Sequence, residues 1–138
     1  MWDQKATLKF LEQRPITLTV HPSQCDPHPE YGDRKPWDVL LQYDNRTYHV
    51  DPWYWRTMPA PPTVHDVVYD LIKMIVEYPD ETLEQYLSGY LNRTRTREQH
   101  VADWQAWQDY SRRILEFFHL TRNELLQEWE AILAQVLA

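Results

Sequence analysis

The sequence predicts an α+β fold in which an antiparallel sheet precedes a group of helices. All ten prolines lie at or before Pro79, three segments of the first half alternate apolar and polar residues, and the second half repeats apolar residues every three or four positions. Because proline interrupts helices and strand ladders, the first half should hold strands and loops and the second half uninterrupted helices. With 138 residues, the chain has the length of a single domain, residues 1–138.

A short N-terminal helix and three strands are predicted before Pro52. Residues 3–13 favour the helix, with Asp3 as its cap and Ala6, Phe10 and Leu11 facing inwards, because Leu, Lys, Glu and Gln are better helix than strand formers. A strand through these residues is the alternative. Alternation predicts an antiparallel sheet with strands at approximately 16–21, 37–43 and 47–51, and Asp44-Asn45-Arg46 is the expected hairpin turn.

Four helices are predicted in the second half, at approximately 64–78, 81–91, 98–119 and 122–137. Thr63 with Asp66, and Thr121 with Glu124, have the spacing of a capping box at a helix start. The short turn between the last two helices predicts that they pair as an antiparallel hairpin. The predicted helix at 64–78 has an apolar stripe made of Val64, Val67, Val68, Leu71, Ile72, Ile75 and Val76. The predicted helix at 98–119 has one made of Trp104, Trp107, Ile114, Leu115 and Phe118.

The acidic charge of the chain is local. The formal net charge is -7, and residues 63–92 contain six acids against one lysine. Such a surface can select a basic groove on a partner and speed the encounter, whereas affinity for nucleic acid requires basic residues. The alternative is a solvated outer face opposite the valine and isoleucine stripe. The predicted partner-binding acids are Asp66, Asp70, Glu77, Asp80, Glu81 and Glu84.

Two further segments are candidate contact sites. Trp53, Trp55 and Arg56 have the residue types of interface hot spots, although the N-terminal helix or the loop at 22–36 could cover one ring instead. Arg93, Arg95 and Arg97 alternate along a predicted loop, where they could contact phosphate or a partner's carboxylates, and a solubilising loop is the alternative.

Motifs for catalysis and for cofactors are weak in this sequence. His21, Cys25 and His28, with Asp26 and Glu30, offer zinc ligand types, but a proline-rich loop that contains histidines is the favoured interpretation. With two glycines, the chain has no phosphate-binding loop and no nucleophile-elbow motif. We therefore predict no metal, no cofactor and no enzymatic activity. A single cysteine, no signal pattern and no membrane-length apolar run predict a cytoplasmic protein.

Four segments carry a resemblance to other proteins. They are Ile16-Thr17-Leu18-Thr19-Val20, Trp37-Asp38-Val39-Leu40-Leu41, the helix start from Pro61 to Leu71, and Trp107, Tyr110, Arg113, Leu115 and Phe118. Their order resembles a set of uncharacterised phage and plasmid proteins with an N-terminal antiparallel sheet and C-terminal helices. The resemblance implies an accessory protein of a mobile element, a class that includes inhibitors of host defence such as anti-CRISPR proteins. Residues 77–100 of this chain depart from the pattern of that set, and the resemblance implies no catalytic residue.

The leading hypothesis is a non-enzymatic protein-binding factor of a phage or plasmid that inhibits a host defence complex such as CRISPR-Cas. Its partner would be a host protein or nucleoprotein complex, with no membrane involved. The alternative is a nucleic-acid-associated accessory protein of a mobile element that uses Arg93, Arg95 and Arg97, and a third hypothesis is a metal enzyme built on residues 21–30. The sequence leaves the oligomeric state open.

Overall fold

The computed structural model describes residues 2–22, 37–50, 61–77, 80–90 and 96–138, with only the backbone described at Trp2 and Tyr90. The elements in these ranges are α1 (Trp2–Glu12), β1 (Thr17–Pro22), β2 (Trp37–Tyr43), β3 (Arg46–Val50), α2 (Val64–Glu77), α3 (Leu83–Tyr90), α4 (Arg97–Phe118) and α5 (Arg122–Leu137). The predicted α+β class is confirmed, with one N-terminal helix, a three-stranded antiparallel sheet and four later helices. Within these ranges, no helix has both the length and the apolar character needed to cross a bilayer.

The sheet is an antiparallel meander in the order β1-β2-β3. Alternation places Val39, Leu41, Tyr48 and Val50 in the core, as the period of two predicts. The hairpin turn is shorter than predicted, because Arg46 already pairs with Tyr43 as the first residue of β3. The two turn residues that remain, Asp44 and Asn45, have φ values of 49° and 63°. Positive φ at both positions is the type I′ geometry that matches the twist of the flanking strands.

Each of the four later helices begins with the same reciprocal contact. A threonine hydroxyl accepts from the N–H three residues on, and the side chain at that position accepts from the threonine N–H. The predicted boxes of α2 and α5 are confirmed, and two further boxes open α3 and α4 with Gln in place of the acid. The four pairs are Thr63 with Asp66, Thr82 with Gln85, Thr96 with Gln99, and Thr121 with Glu124.

The apolar stripe of α2 crosses the centre of the molecule. Five of its seven predicted residues are buried, and Val64 is partly buried. Val76 is 37% exposed, so its predicted place on the inward face is wrong. The buried residues are Val67, Val68, Leu71, Ile72 and Ile75.

The inward side of α4 differs from the prediction in its middle. Phe117 and His100 are buried, whereas Trp104 and Trp107 are only half-buried. The helix also ends one residue early, because His119 has left-handed dihedral angles and closes the helix as its C-cap. Phe117 packs against Tyr48 of β3 with 5.8 Å between the ring centroids and the ring planes tilted by 47°. The last turn of α4 therefore packs against the sheet.

The predicted antiparallel pairing of the last two helices is wrong. After the turn at residues 119–121, α5 packs along α1, and α4 packs against α3 and β3. A bidentate ion pair joins α5 to the end of α1: Arg14 donates to both carboxylate oxygens of Glu128 at 2.8 and 2.6 Å. The Arg14 guanidinium also donates to the Phe10 carbonyl at 3.2 Å and lies 4.1 Å from the Phe10 ring centroid. These contacts compensate the charge of the Arg14 guanidinium, which is almost fully buried.

Candidate functional site

Three of the predicted partner-binding acids follow one side of α2. Asp66, Asp70 and Glu77 are separated by four and seven residues, so they lie on the face opposite the apolar stripe. Asp66 is the capping-box residue of α2: its carboxylate accepts from the Thr63 N–H at 3.1 Å and from the Thr63 hydroxyl at 2.7 Å. Glu77 is exposed and lies 3.9 Å from Lys73. Asp66 therefore has a structural role that the other two do not have.

Asp70 is half-buried, unlike the fully solvated group that an outer face would predict. Burial raises the pKa of the Asp70 carboxyl above its usual value, and the charge of Glu77 adds to this effect. The nearby Lys73 ammonium acts in the opposite direction and lowers the pKa. Burial is the largest of these influences, so the fold destabilises the ionised form of the Asp70 carboxyl relative to the protonated form.

The other three acids lie around the start of α3. Asp80 and Glu84 are exposed, and Glu81 is half-buried. The indole N–H of Trp104 on α4 donates to the Glu81 carbonyl at 2.9 Å, which fixes this segment against α4. We call the six predicted acids together the acidic surface: Asp66, Asp70, Glu77, Asp80, Glu81 and Glu84.

Among the described residues, most acids of the acidic surface have no Lys or Arg at ion-pair distance. In the part of the chain that the structure describes, Asp70, Asp80, Glu81 and Glu84 have no Lys or Arg nitrogen within 4 Å. Carboxylates in this state keep their negative potential available for a partner. The surface spans α2, the start of α3 and the residues just before α3, and α3 itself packs against α4.

A pocket of about 480 Å³ lies at the corner where α4 ends and α5 begins. Its partly apolar wall includes Trp107, Leu115 and Leu120. Several charged groups around it have partners: Arg112 pairs with Asp109 and Glu116, and Glu124 belongs to the capping box of α5. Asp80 also lines the pocket and has no Lys or Arg nitrogen within 4 Å among the described residues. The pocket therefore offers apolar contact area beside one acid of the acidic surface.

A second cleft, of about 400 Å³, lies between β3 and α4. Arg46, Thr47 and His49 line it from the strand, and Arg113 and Glu116 line it from the helix. This cleft has no signal in the sequence, because Arg46 lies in the predicted turn and is far from Arg113 in the chain. Only the packing of α4 against the sheet brings them together.

Several predicted site residues lie outside the described residues. They are Trp53, Trp55, Arg56, Arg93, Arg95, Cys25, Asp26, His28 and Glu30. Of the predicted arginine loop, Arg97 is described, and it is an exposed residue at the start of α4. His21 is exposed and lies 3.2 Å from Asp38 across the strand pair. Among the described residues, no group of three His, Cys, Asp or Glu side chains is arranged to hold a metal ion.

The residues that carry the resemblance to mobile-element proteins occupy ordinary structural positions. Val39 is buried in the sheet, and Val67 and Leu71 are buried in α2. Apolar residues at such positions occur in many folds and do not by themselves identify a family. No protein-family model, no curated protein and no solved structure matches the chain.

Proposed function

We propose that this chain is a non-enzymatic binding protein that presents its acidic surface to a basic surface on a partner. The observation that carries the proposal is that Asp70, Asp80, Glu81 and Glu84 lack a cation at ion-pair distance among the described residues. On α4, by contrast, Arg112 and Arg113 both pair with Asp109. A basic partner would supply the compensating charge.

The partner class follows from the chemistry of the surface. Carboxylates spread over two helices complement a groove lined by Lys and Arg, such as a channel that holds nucleic acid in a host protein or nucleoprotein complex. The narrower proposal, inhibition of a host defence complex such as CRISPR-Cas by a phage or plasmid protein, rests on the sequence resemblance described above. Both versions require binding without chemical conversion of the partner.

The test begins with a partner captured by the tagged chain from a lysate of its source cells, followed by measurement of the association rate at low and high salt. If acids steer the encounter, the wild-type rate falls as ionic strength rises. A double variant, Glu77→Lys with Glu84→Lys, should lower the association rate about tenfold at low salt. Asp66 is left unchanged because its capping role would add a loss of stability.

The matched control reverses two acids outside the acidic surface, Glu12→Lys with Glu130→Lys. These two glutamates are also exposed helix residues, and the change in net charge is the same. The control should change the association rate much less, because it leaves the acidic surface intact. Equal slowing by the two double variants, or an association rate that does not depend on salt, would contradict the proposal.

A further inference from the structure

The cleft between β3 and α4 brings two guanidinium groups and an imidazole together from separate elements. Arg113 is half-exposed; its Nε lies 3.1 Å from Asp109, and its guanidinium lies 5.7 Å from the Tyr110 ring centroid. No acceptor for its two terminal nitrogens occurs among the residues that the structure describes. These nitrogens are therefore available as donors on the helix side of the cleft.

Arg46 holds the opposite wall in place. Its Nε donates to the Phe117 carbonyl at 3.1 Å, and its Nη1 lies 3.5 Å from Asp44. The second terminal nitrogen, Nη2, is buried and has no hydrogen-bond acceptor in the described part of the chain. A buried donor of this kind is costly, and it leaves positive charge at one end of the cleft incompletely compensated.

The edge of β3 adds backbone donors to the same wall. Tyr43 and Arg46 flank the two-residue turn and form the first hydrogen-bonded pair, so the N–H groups of Thr47 and His49 point away from β2. β3 is an edge strand of the described sheet, and Thr47 and His49 both line the cleft. Their carbonyl groups lie on the same edge and alternate with the N–H groups. His49 is exposed, which keeps its imidazole available as well.

The cleft has little negative charge of its own. Glu116 is the one carboxylate among its described lining residues, and its Oε1 already accepts from Arg112 at 2.9 Å. We propose that this cleft binds an oxyanion group, the phosphate or carboxylate of a small molecule, through Arg113, His49 and the edge of β3. A planar guanidinium beside an exposed imidazole offers several N–H donors to the oxygens of such an anion. The site does not depend on the acidic surface.

Inorganic phosphate and succinate are the probes, each compared with sodium chloride at equal ionic strength and pH. At about ten times its dissociation constant, a bound anion should raise the midpoint of thermal unfolding by about 4 °C. A shift with phosphate alone identifies a phosphate site, and a shift with succinate alone identifies a carboxylate site. Unchanged midpoints with both anions would overturn the proposal.

The variants compare two exposed arginines of α4. Arg97→Gln should keep the anion-dependent shift, because Arg97 lies at the start of the helix and does not line the cleft. Arg112 is left unchanged, because it pairs with Glu116 in the cleft wall. Arg113→Gln should abolish the shift, and His49→Gln should reduce it. A full shift in Arg113→Gln, or equal losses in the two arginine variants, would show that the anion binds elsewhere.

Discussion

Helix α5 has one neighbour in sequence and a different neighbour in space. It follows α4 after a turn of three residues, yet it packs along α1, more than a hundred positions away in the chain. The α1–α5 contact contains a bidentate ion pair, and the ring of Trp129 on α5 lies 6.3 Å from Tyr69 of α2. The α4–α5 corner contains a left-handed residue and a capping box. Local residues thus determine where α5 begins, and distant side chains determine where it lies.

The ion pair gives the α1–α5 contact a specificity that apolar packing alone would lack. Arg14 can satisfy its charge at Glu128 only when α5 lies across the end of α1, since the Phe10 carbonyl and ring fix the guanidinium there. An alternative arrangement, with α5 folded back on α4, would leave a buried guanidinium unpaired. The pair therefore selects one arrangement of the helices over the other.

The largest expected effect is at this ion pair. Glu128→Ala removes the carboxylate and leaves Arg14 buried without its anion, so we expect a loss of about 3 kcal/mol in the free energy of unfolding. Urea denaturation measures the loss. Glu130→Ala, at an exposed position two residues away, is the control and should change stability by less than about 0.5 kcal/mol.

A double variant tests whether the loss in Glu128→Ala comes from the unpaired charge of Arg14. The double substitution Arg14→Met with Glu128→Leu should recover most of the lost stability, because neither side chain then leaves a charge buried. If Glu128→Ala has no more effect than Glu130→Ala, the ion pair does not position α5.

At the corner, the expected effect is smaller. Thr121→Ala removes the hydroxyl that accepts from the Glu124 N–H at 3.1 Å, and loss of an N-cap side chain costs about 1 kcal/mol. Thr121→Ser keeps the hydroxyl and should retain most of the stability. A Thr121→Ala loss as large as that of Glu128→Ala would mean that the corner contributes as much as the distant contact.

Features that depend on residues close together in the chain could be predicted from the sequence. Element type and the core of α2 follow from periodicity, and the capping boxes at Thr63 and Thr121 are readable because their two residues are three positions apart. The boxes with Gln85 and Gln99 have the same spacing, but their neutral side chains give a weaker signal than an acid at the start of a helix. The pairing of Arg14 with Glu128 has no local pattern, because an isolated charged residue looks like a surface residue.

The candidate sites divide in the same way. The acids of the acidic surface can be counted from the sequence, whereas the half-burial of Asp70 depends on what packs over α2. The cleft that contains Arg46 and Arg113 exists only because the last turn of α4 meets the sheet. Charge composition therefore predicts a surface, but not which of its groups are paired or buried.

A substitution at the left-handed residue of the α4–α5 corner should increase the stability of the protein. His119 has φ 63° and ψ 40°, a conformation that glycine adopts without steric cost. His119→Gly should therefore stabilise the protein by about 0.5 kcal/mol. This net gain is smaller than the relief of the left-handed conformation, because glycine also raises the backbone entropy of the unfolded chain. His119→Ala keeps a Cβ at the same φ and should give no gain. A loss of stability in the glycine variant would show that the histidine side chain itself supports the corner.

The smallest expected effect is a pH dependence of the α5 capping box. The Thr121 N–H, and then its hydroxyl, bond the Glu124 carboxylate and lower the pKa of Glu124 below its usual value. A group with a lowered pKa contributes its stability above the unfolded pKa and loses it as pH falls through the folded pKa. The Glu124→Gln variant keeps the box without an ionisable group, so the wild-type advantage should shrink as pH falls below about 4.5.

The box of α4 provides the reciprocal experiment, because Gln99 occupies there the position that Glu124 has in α5. Gln99→Glu should introduce into α4 the pH dependence that Glu124→Gln removes from α5, when unfolding midpoints are measured from neutral pH to pH 3. Parallel pH profiles for the wild type and both variants would mean that the charge at the third helical position does not contribute to the start of either helix. The corner would then depend on the two hydrogen bonds of the capping box and not on its charge.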